Sequence, residues 1–385
     1  MNIIDLPKPA WMAEDHSILS DQAARFMESE VVPRYEAFEA AGSFDRDVWT
    51  KAGQAGLLAP SVEEQFGGPG GNFGHDAVIT YQANLTGCDG FGGPLHSAIV
   101  TPYIRHYGST EQKQRWLPKL VSGEYIGAIA MTEPGAGSDL QGVRTTAIRD
   151  GNHYVINGAK TFITNGQLAN FIVLVTKTDP SAGAKGTSLF VIETDRVEGF
   201  RRGRNLDKIG MRSNDTSELF FDEVRVPTDA LLGPEEGQGF VQLMQQLPQE
   251  RLLIAIYAMA RIERALKVTL DYVKERKAFG KAILDFQNSQ FMLAECKTEA
   301  TVAKVFVDHC IECHLKDGLD ATTASMAKYW LTDLQCTIID RCLQLHGGYG
   351  YMNEYPIARM YRDARVERIY GGTNEIMKVL IARSL

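Results

Sequence analysis

The chain has 385 residues, 44% apolar and 23% charged, with 36 Gly and 14 Pro; that composition excludes collagen-like, low-complexity and wholly disordered material. With 40 basic against 48 acidic residues the net charge is −8, which argues against a broad electrostatic grip on nucleic acid. The length allows two or three domains with sizeable cores. No apolar run approaches the ~18 residues of a spanning helix, and no basic amphipathic stretch marks a membrane surface. The N-terminus, MNIIDLPKPAWMAED, lacks a basic segment followed by an apolar one. Six cysteines (Cys88, Cys296, Cys310, Cys313, Cys336, Cys342) in so long a chain predict reduced thiols. A bacterial cytosol is the expected compartment, with the mitochondrial matrix the alternative for a trimmed chain.

His16 to Ala40 runs without glycine at helical spacing, interrupted at Pro33, and helical text resumes from Asn72 to Leu120 with a break at Gly90 to Pro94. The middle changes period. Tyr125–Met131, Val143–Arg149, His153–Ile156, Phe171–Thr176, Ser188–Thr194 and Ser217–Val226 are β-rich runs separated by turn residues such as Asn157-Gly158. They predict an antiparallel barrel or sandwich. From Gly237 the text is helical again. One helix is expected over Gln249–Arg276, opened by Pro248, and a second over Gln287–Lys316. A third carries Ala327, Trp330, Leu334, Ile338, Cys342 and Leu345 on one face and ends at Gly347-Gly348. The expected domains are 1–124 (helical), 125–236 (β) and 237–385 (helical).

Several stretches have residue types suited to chemistry. Glu133-Pro134-Gly135-Ala136-Gly137-Ser138-Asp139 follows a strand and offers either a tight polar turn or backbone amides for a ligand; it lacks the third glycine of a dinucleotide fingerprint. Cys310-Ile311-Glu312-Cys313-His314 spells a haem-attachment pattern, but inside a helix without a second thiol pair these read as ordinary helix positions. No metal site is expected. The Gly-rich turns His346–Tyr351 and Tyr370–Thr373 suit either helix caps or a ligand cradle. Glu250, in the first turn of its expected helix, suits the helix dipole as well as it suits chemistry.

Taken together these stretches resemble the acyl-CoA dehydrogenase family. The matching motifs are Ala130–Asp139, Lys160–Gly166, Glu275–Gly280, Gln344–Gly350, and Arg362–Arg365 running into Ile369–Ile376. The resemblance implies an α+β fold: an N-terminal helical domain, a central antiparallel β-domain and a C-terminal four-helix bundle. It implies FAD. Ile129, Met131, Thr132, Gly137, Ser138, Phe162, Ile163 and Thr164 would face the flavin, while Arg276, Phe279, Gln287, Gln344, Gly347 and Gly348 would hold the adenosine diphosphate half. Thr373 and Glu375 would belong to the last FAD-contacting turn. One of the two larger sets would come from a neighbouring subunit of a homotetramer, a dimer of dimers.

The implied reaction removes a proton from Cα of an acyl-CoA while hydride leaves Cβ for flavin N5, and electrons pass on to an electron-transfer flavoprotein. Many members carry the catalytic Glu at the position of Gly371; here that position has no carboxylate. A minority carry the base on the helix near Pro248, at the position of Glu250, so the resemblance implies that Glu250 is the base. Ser138, Pro248, Gln249, Arg251, Gly371 and Gly372 would bind substrate, with the Gly371 N–H polarising the thioester carbonyl. Leu247–Ala255, Met326–Trp330 and Tyr370–Lys378 favour the long-chain kind, and the small residues of Gly90–Pro94 imply room for a long acyl tail. Val241 stands where isovaleryl-type enzymes have a substrate-contacting Tyr. The alternatives are another acyl group, an oxidase using O₂, or a non-catalytic flavin-binding scaffold.

Overall fold

Helical spacing in the first third is borne out by the computed structural model, which describes residues 3–385. α1 (Glu14–Phe26), a π-turn (Met27–Val31) and a 3₁₀ turn (Val32–Arg34) lead into α2 (Tyr35–Ala41); Pro33 lacks the N–H that an unbroken helix would use. Next come α3 (Arg46–Gln54) and α4 (Phe73–Leu85), then α5 (Gly93–Leu95), which runs through a π-turn into α6 (Thr101–Tyr107), and α7 (Thr110–Ser122). Where α1 and α4 begin, Asp15, His16 and His75 bring ligand-type atoms within 4.8 Å of one another. Both Nδ1 lone pairs are already taken, by the Ala13 N–H and the Asn72 N–H. The cluster is a pair of helix caps.

The central strands are β1 (Gly127–Ala130), β2 (Thr146–Asp150), β3 (His153–Thr164), β4 (Phe171–Lys177), β5 (Thr187–Glu193), β6 (Phe200–Asn205) and β7 (Thr216–Pro227). They form one sheet in the order β1-β4-β2-β3-β7-β6, with β5 also on β4. It is mixed rather than wholly antiparallel. β1 runs parallel to β4, as does β2 at one position, because the chain makes the β2–β3 hairpin before returning. Asn157-Gly158 is not a turn but an irregularity inside β3, which continues to Thr164 along β7. A Cβ on Gly158 would meet Thr145 Oγ1 at 2.4 Å. β6, with the sequence FRRGRN, gives no strand signal because it is a charged edge strand. β4 is buried along its whole length. Ile172 and Leu174 face the β-domain core, while Phe171 and Val173 pack on Trp116 and Leu120 of α7.

α8 spans Gly239–Glu275, so Pro248 lies inside it and not at its start. The proline removes one helical hydrogen bond, a cost of ~3 kcal/mol in an isolated helix. Tertiary bonds hold the preceding turns in place: Gln242 Nε2 donates to Leu232 O, and Gln246 Nε2 to the Tyr107 hydroxyl. The hairpin of β8 (Lys277–Ala278) and β9 (Lys281–Ala282) leads to α9 (Gln287–Asp317), α10 (Ala321–Leu345), α11 (Pro356–Ala364) and α12 (Asn374–Ala382). α8 to α11 pack as the bundle and α12 lies on α10. Cys310 is buried in α9 and Cys313 half-buried; all six cysteines are free thiols. No helix among the described residues is long and apolar enough to cross a membrane.

A buried charge network joins the two helical parts. Arg261 of α8 lies 3.3 Å from Asp89, beyond α4, and 2.5 Å from Glu367, beyond α11. All three are almost wholly buried, and the Tyr370 hydroxyl lies 3.5 Å from Glu367.

Candidate active site

Glu250 sits about a third of the way along α8, only 6% exposed. Its Oε1 accepts a 2.8 Å hydrogen bond from the hydroxyl of Tyr103 on α6. Burial pushes its carboxyl up to about 7, against the Tyr103 hydrogen bond and the Arg251 charge, which both lower it. A carboxyl poised there has the proton affinity that a general base needs near neutral pH.

The Tyr370–Thr373 turn lies against the same stretch of α8. Gly371 has φ +65° and Gly372 φ +92°, a region that L side chains enter only with strain. A Cβ on Gly371 would meet Ile254 Cδ1 at 2.4 Å, and Ile254 is one helical turn beyond Glu250. Arg251 Nε donates to Gly371 O at 3.4 Å, and the wholly buried Lys328 donates to Gly372 O at 2.7 Å and Asn374 Oδ1 at 2.8 Å. Thr373 caps α12, accepting from Ile376 N–H. The position without a carboxylate is therefore held beside the helix that supplies one.

The Glu133–Asp139 loop is anchored from below. Lys160 Nζ, inside β3, reaches Glu133 Oε1 at 2.8 Å and Met131 O at 3.0 Å. Glu133 also accepts from the Arg144 and Thr145 N–H groups and the Thr145 hydroxyl. Burial lowers Lys160 to about 8. It also raises the Glu133 carboxyl, but the Lys160 charge and the donors outweigh this and hold Glu133 below its ordinary range. The pair stays ionised at neutral pH and fixes the strand end. Around it Ile129, Met131, Thr132 and Thr164 are half-buried, while Gly137, Ser138 and Phe162 (67% exposed) are open. Ile163 points into the β-domain core, which leaves a ligand only its backbone.

Arg276, Gly347 and Gly348 line one cleft of about 580 Å³ together with Tyr272, His346 and Tyr349. Tyr272 stacks on His346, centroids 4.3 Å apart, and the Arg276 guanidinium lies 5.3 Å from the Tyr349 ring. A cation, bare glycine amides and aromatic faces are a donor set that fits a diphosphate and a purine. Phe279 (96% exposed), Gln287 and Gln344 lie at the surface outside that lining, as does Glu375 on α12.

Two expectations for the acyl end change. Gly90, Gly92 and Gly93 do not leave an open tail pocket: Cβ atoms there would meet Ser213 Oγ at 2.0 Å, Asn165 Oδ1 at 2.1 Å and the Phe91 ring at 2.4 Å. Gly90 and Gly92 let the helical domain approach the β-domain, and Gly93 makes room for the Phe91 ring. Gln249 is occupied within the protein, donating to Ala98 O at 2.7 Å with its Oε1 3.1 Å from His314 Nε2. Pro248 is half-buried beside it, and Val241 is 51% exposed two turns earlier. Tyr103, Lys160 and Lys328 went unread as site residues; each acts by burial and long-range pairing, for which spacing has no signal.

Fold and site together set a buried carboxyl on α8 beside a glycine turn, and a cationic, aromatic cleft at the end of the bundle, in a helical–β–helical chain. The family profiles for the acyl-CoA dehydrogenase N-terminal, middle and C-terminal domains match residues 13–124, 128–224 and 237–385. The chain is 50% identical over 375 residues to the mitochondrial long-chain specific acyl-CoA dehydrogenase of Rattus norvegicus, covering 97% of this chain and 87% of that one. Relatives named for other acyl groups match at 34–36% identity. A solved acyl-CoA dehydrogenase from Geobacillus kaustophilus superposes with a TM-score of 0.96 at 48% identity, covering 98% and 99% of the two chains. A glutaryl-CoA dehydrogenase from Mycobacterium smegmatis in complex with FADH2 superposes at 0.89 and 27% identity, covering 97% and 94%. The chain belongs to the acyl-CoA dehydrogenase family; it is an FAD-dependent oxidoreductase acting on acyl-CoA thioesters.

Proposed function

We propose that this enzyme desaturates long-chain acyl-CoA esters to trans-2-enoyl-CoA with Glu250 as the base. The observation that carries the base assignment is the pairing of a buried Glu250 with a Gly371 that packs on Ile254 of the same helix. Glu250 takes the α-proton. The Gly371 N–H, in a turn fixed by Arg251 and Lys328, polarises the thioester carbonyl, and a dry pocket strengthens both effects. FAD, when bound, supplies the hydride acceptor for the β-carbon. The strand-end set from Ile129 to Ser138 and Phe162 to Thr164 would meet the flavin, Arg276, Gly347 and Gly348 the diphosphate half, and Phe279, Gln287, Gln344, Thr373 and Glu375 the rest. Identity to the rat long-chain enzyme supports the chain-length preference.

We further infer a homotetramer, an electron-transfer flavoprotein as acceptor, a cytosolic location and domain boundaries near residues 124 and 236. Assembly is supported by exposed apolar side chains: Phe279, and Phe291, Val302 and Val305 along α9. The test is anaerobic titration with palmitoyl-CoA, following the visible flavin band, with a panel of acyl-CoA esters and Glu250→Gln beside it. Prompt bleaching by palmitoyl-CoA and loss of bleaching in Glu250→Gln support the reading. Best kcat/KM on a short branched ester overturns the chain-length preference, and undiminished turnover by Glu250→Gln overturns the base assignment.

A further inference from the structure

We propose that Tyr103 is the positioning residue of the base: its hydroxyl holds Glu250 Oε1, so that Oε2 is the oxygen presented to the substrate α-proton. The inference rests on Glu250 being the base. Tyr103 is wholly buried on α6, its ring packed in the core with Trp116 and Leu243. Its hydroxyl donates to Glu250 Oε1 at 2.8 Å, and no other described side chain or backbone group donates to that carboxyl. One oxygen is thus tied and one is free. A carboxylate on a flexible side chain loses rate through misorientation, and a single fixed bond to one oxygen removes that freedom.

The groups facing this carboxyl are few. From α6 come Tyr103 and the more distant Tyr107, whose hydroxyl is engaged with Gln242 O and Gln245. From α8 comes Arg251, whose guanidinium turns toward Gly371 O and Ser325. The Tyr370–Thr373 turn brings no charge to it, since Tyr370 points at Glu367. Burial and the Glu250 charge raise the Tyr103 phenol well above its ordinary range, so Tyr103 is a donor only. In the reaction the α-hydrogen moves as a proton to Glu250 Oε2, the Cα–H electron pair becomes the second bond between Cα and Cβ, the Cβ–H pair leaves as a hydride for which bound FAD would be the acceptor, and Tyr103 keeps its proton throughout. The bond favours the ionised carboxylate, so it also lowers the pH at which the base becomes competent.

The experiment is the pH dependence of kcat/KM with palmitoyl-CoA, using the holoenzyme, for the natural chain, Tyr103→Phe, Tyr103→Met and Glu250→Gln. Tyr103→Phe keeps the ring and removes only the hydroxyl; Tyr103→Met removes the hydroxyl on a different shape, so a folding failure of one leaves the other. The expected result is an acid limb displaced upward by about one pH unit in both, roughly a tenfold loss on the acid side. On the alkaline plateau a smaller loss of kcat, from the carboxylate set free to turn, should remain with KM little changed. A side chain that merely packs would lower the rate without displacing the limb. An undisplaced limb with Glu250→Gln inactive overturns the role of Tyr103 alone. Activity retained in Glu250→Gln overturns the base assignment beneath it.

Discussion

Burying a carboxyl that ionises costs stability, and Glu250→Gln measures that cost. The carboxyl rises from its ordinary 4.5 to about 7 on burial. At about 1.4 kcal/mol per pH unit, ionising it in the folded protein costs ~3 kcal/mol. The sign follows from proton counting: between the two values the folded chain binds more protons than the unfolded one, so stability falls as pH rises from 4.5 to about 7 and then levels off. Gln is isosteric and still accepts from Tyr103, but never ionises. At roughly 2.1 cal/mol/K per residue, unfolding 385 residues carries an entropy of ~0.8 kcal/mol/K, so Glu250→Gln should raise Tm by about 4 °C at about pH 8.5. At about pH 5.5 the gain should be less than half as large. Differential scanning calorimetry of the two proteins at both pH values is the assay. An equal gain at both, or a loss, would refute the claim that desolvation of an ionising Glu250 is what is being relieved.

Other consequences are as direct. Glu250→Gln should lose at least ~10²-fold in turnover while keeping its flavin spectrum, and the kcat/KM of the natural protein should rise with pH through about 7. Gly371→Glu should not restore turnover to Glu250→Gln and should destabilise by ~2 kcal/mol or more, since it adds positive-φ strain to the clash with Ile254; urea unfolding reads this. Lys160→Met leaves Glu133 buried without its cation and should cost about 3–5 kcal/mol, with faster flavin loss on dilution. Arg276→Ala should weaken FAD retention roughly tenfold, with a smaller dependence on ionic strength than the natural protein shows.

Much of this was legible in the residues. The change of period from helix to strand and back followed the three parts, whereas the turn at Gly347-Gly348 suited a helix cap as well as a ligand cradle, and the structure puts it on a cleft. Long-range effects were not legible. Pro248 read as a helix start because the bonds from Gln242 and Gln246 that let α8 begin earlier reach residues far off in sequence. β6 showed no strand signal because an edge strand gains its pairing from a neighbour and keeps Arg201 and Arg204 in water. Gly90 to Gly93 read as space, but a missing side chain is as easily filled by another domain, and Ser213 and Asn165 fill it here. The Glu250 assignment came from resemblance; its partner Tyr103 is a matter of packing.

The Arg261 network has a consequence for how the enzyme is made. Its acids come from distant parts of the chain, Asp89 and Glu367, and without Glu367 the buried Arg261 and Arg264 share Asp89 alone. Glu367 also receives Tyr370, which leads straight into the Gly371 turn. During synthesis Glu367 arrives late, so Arg261 gains its second counter-charge only once the last helices are made. The Gly371 turn is therefore among the last parts to be placed. A chain stopped before Glu367 would carry Glu250 without the Gly371 turn that packs on Ile254, and so without the site proposed above.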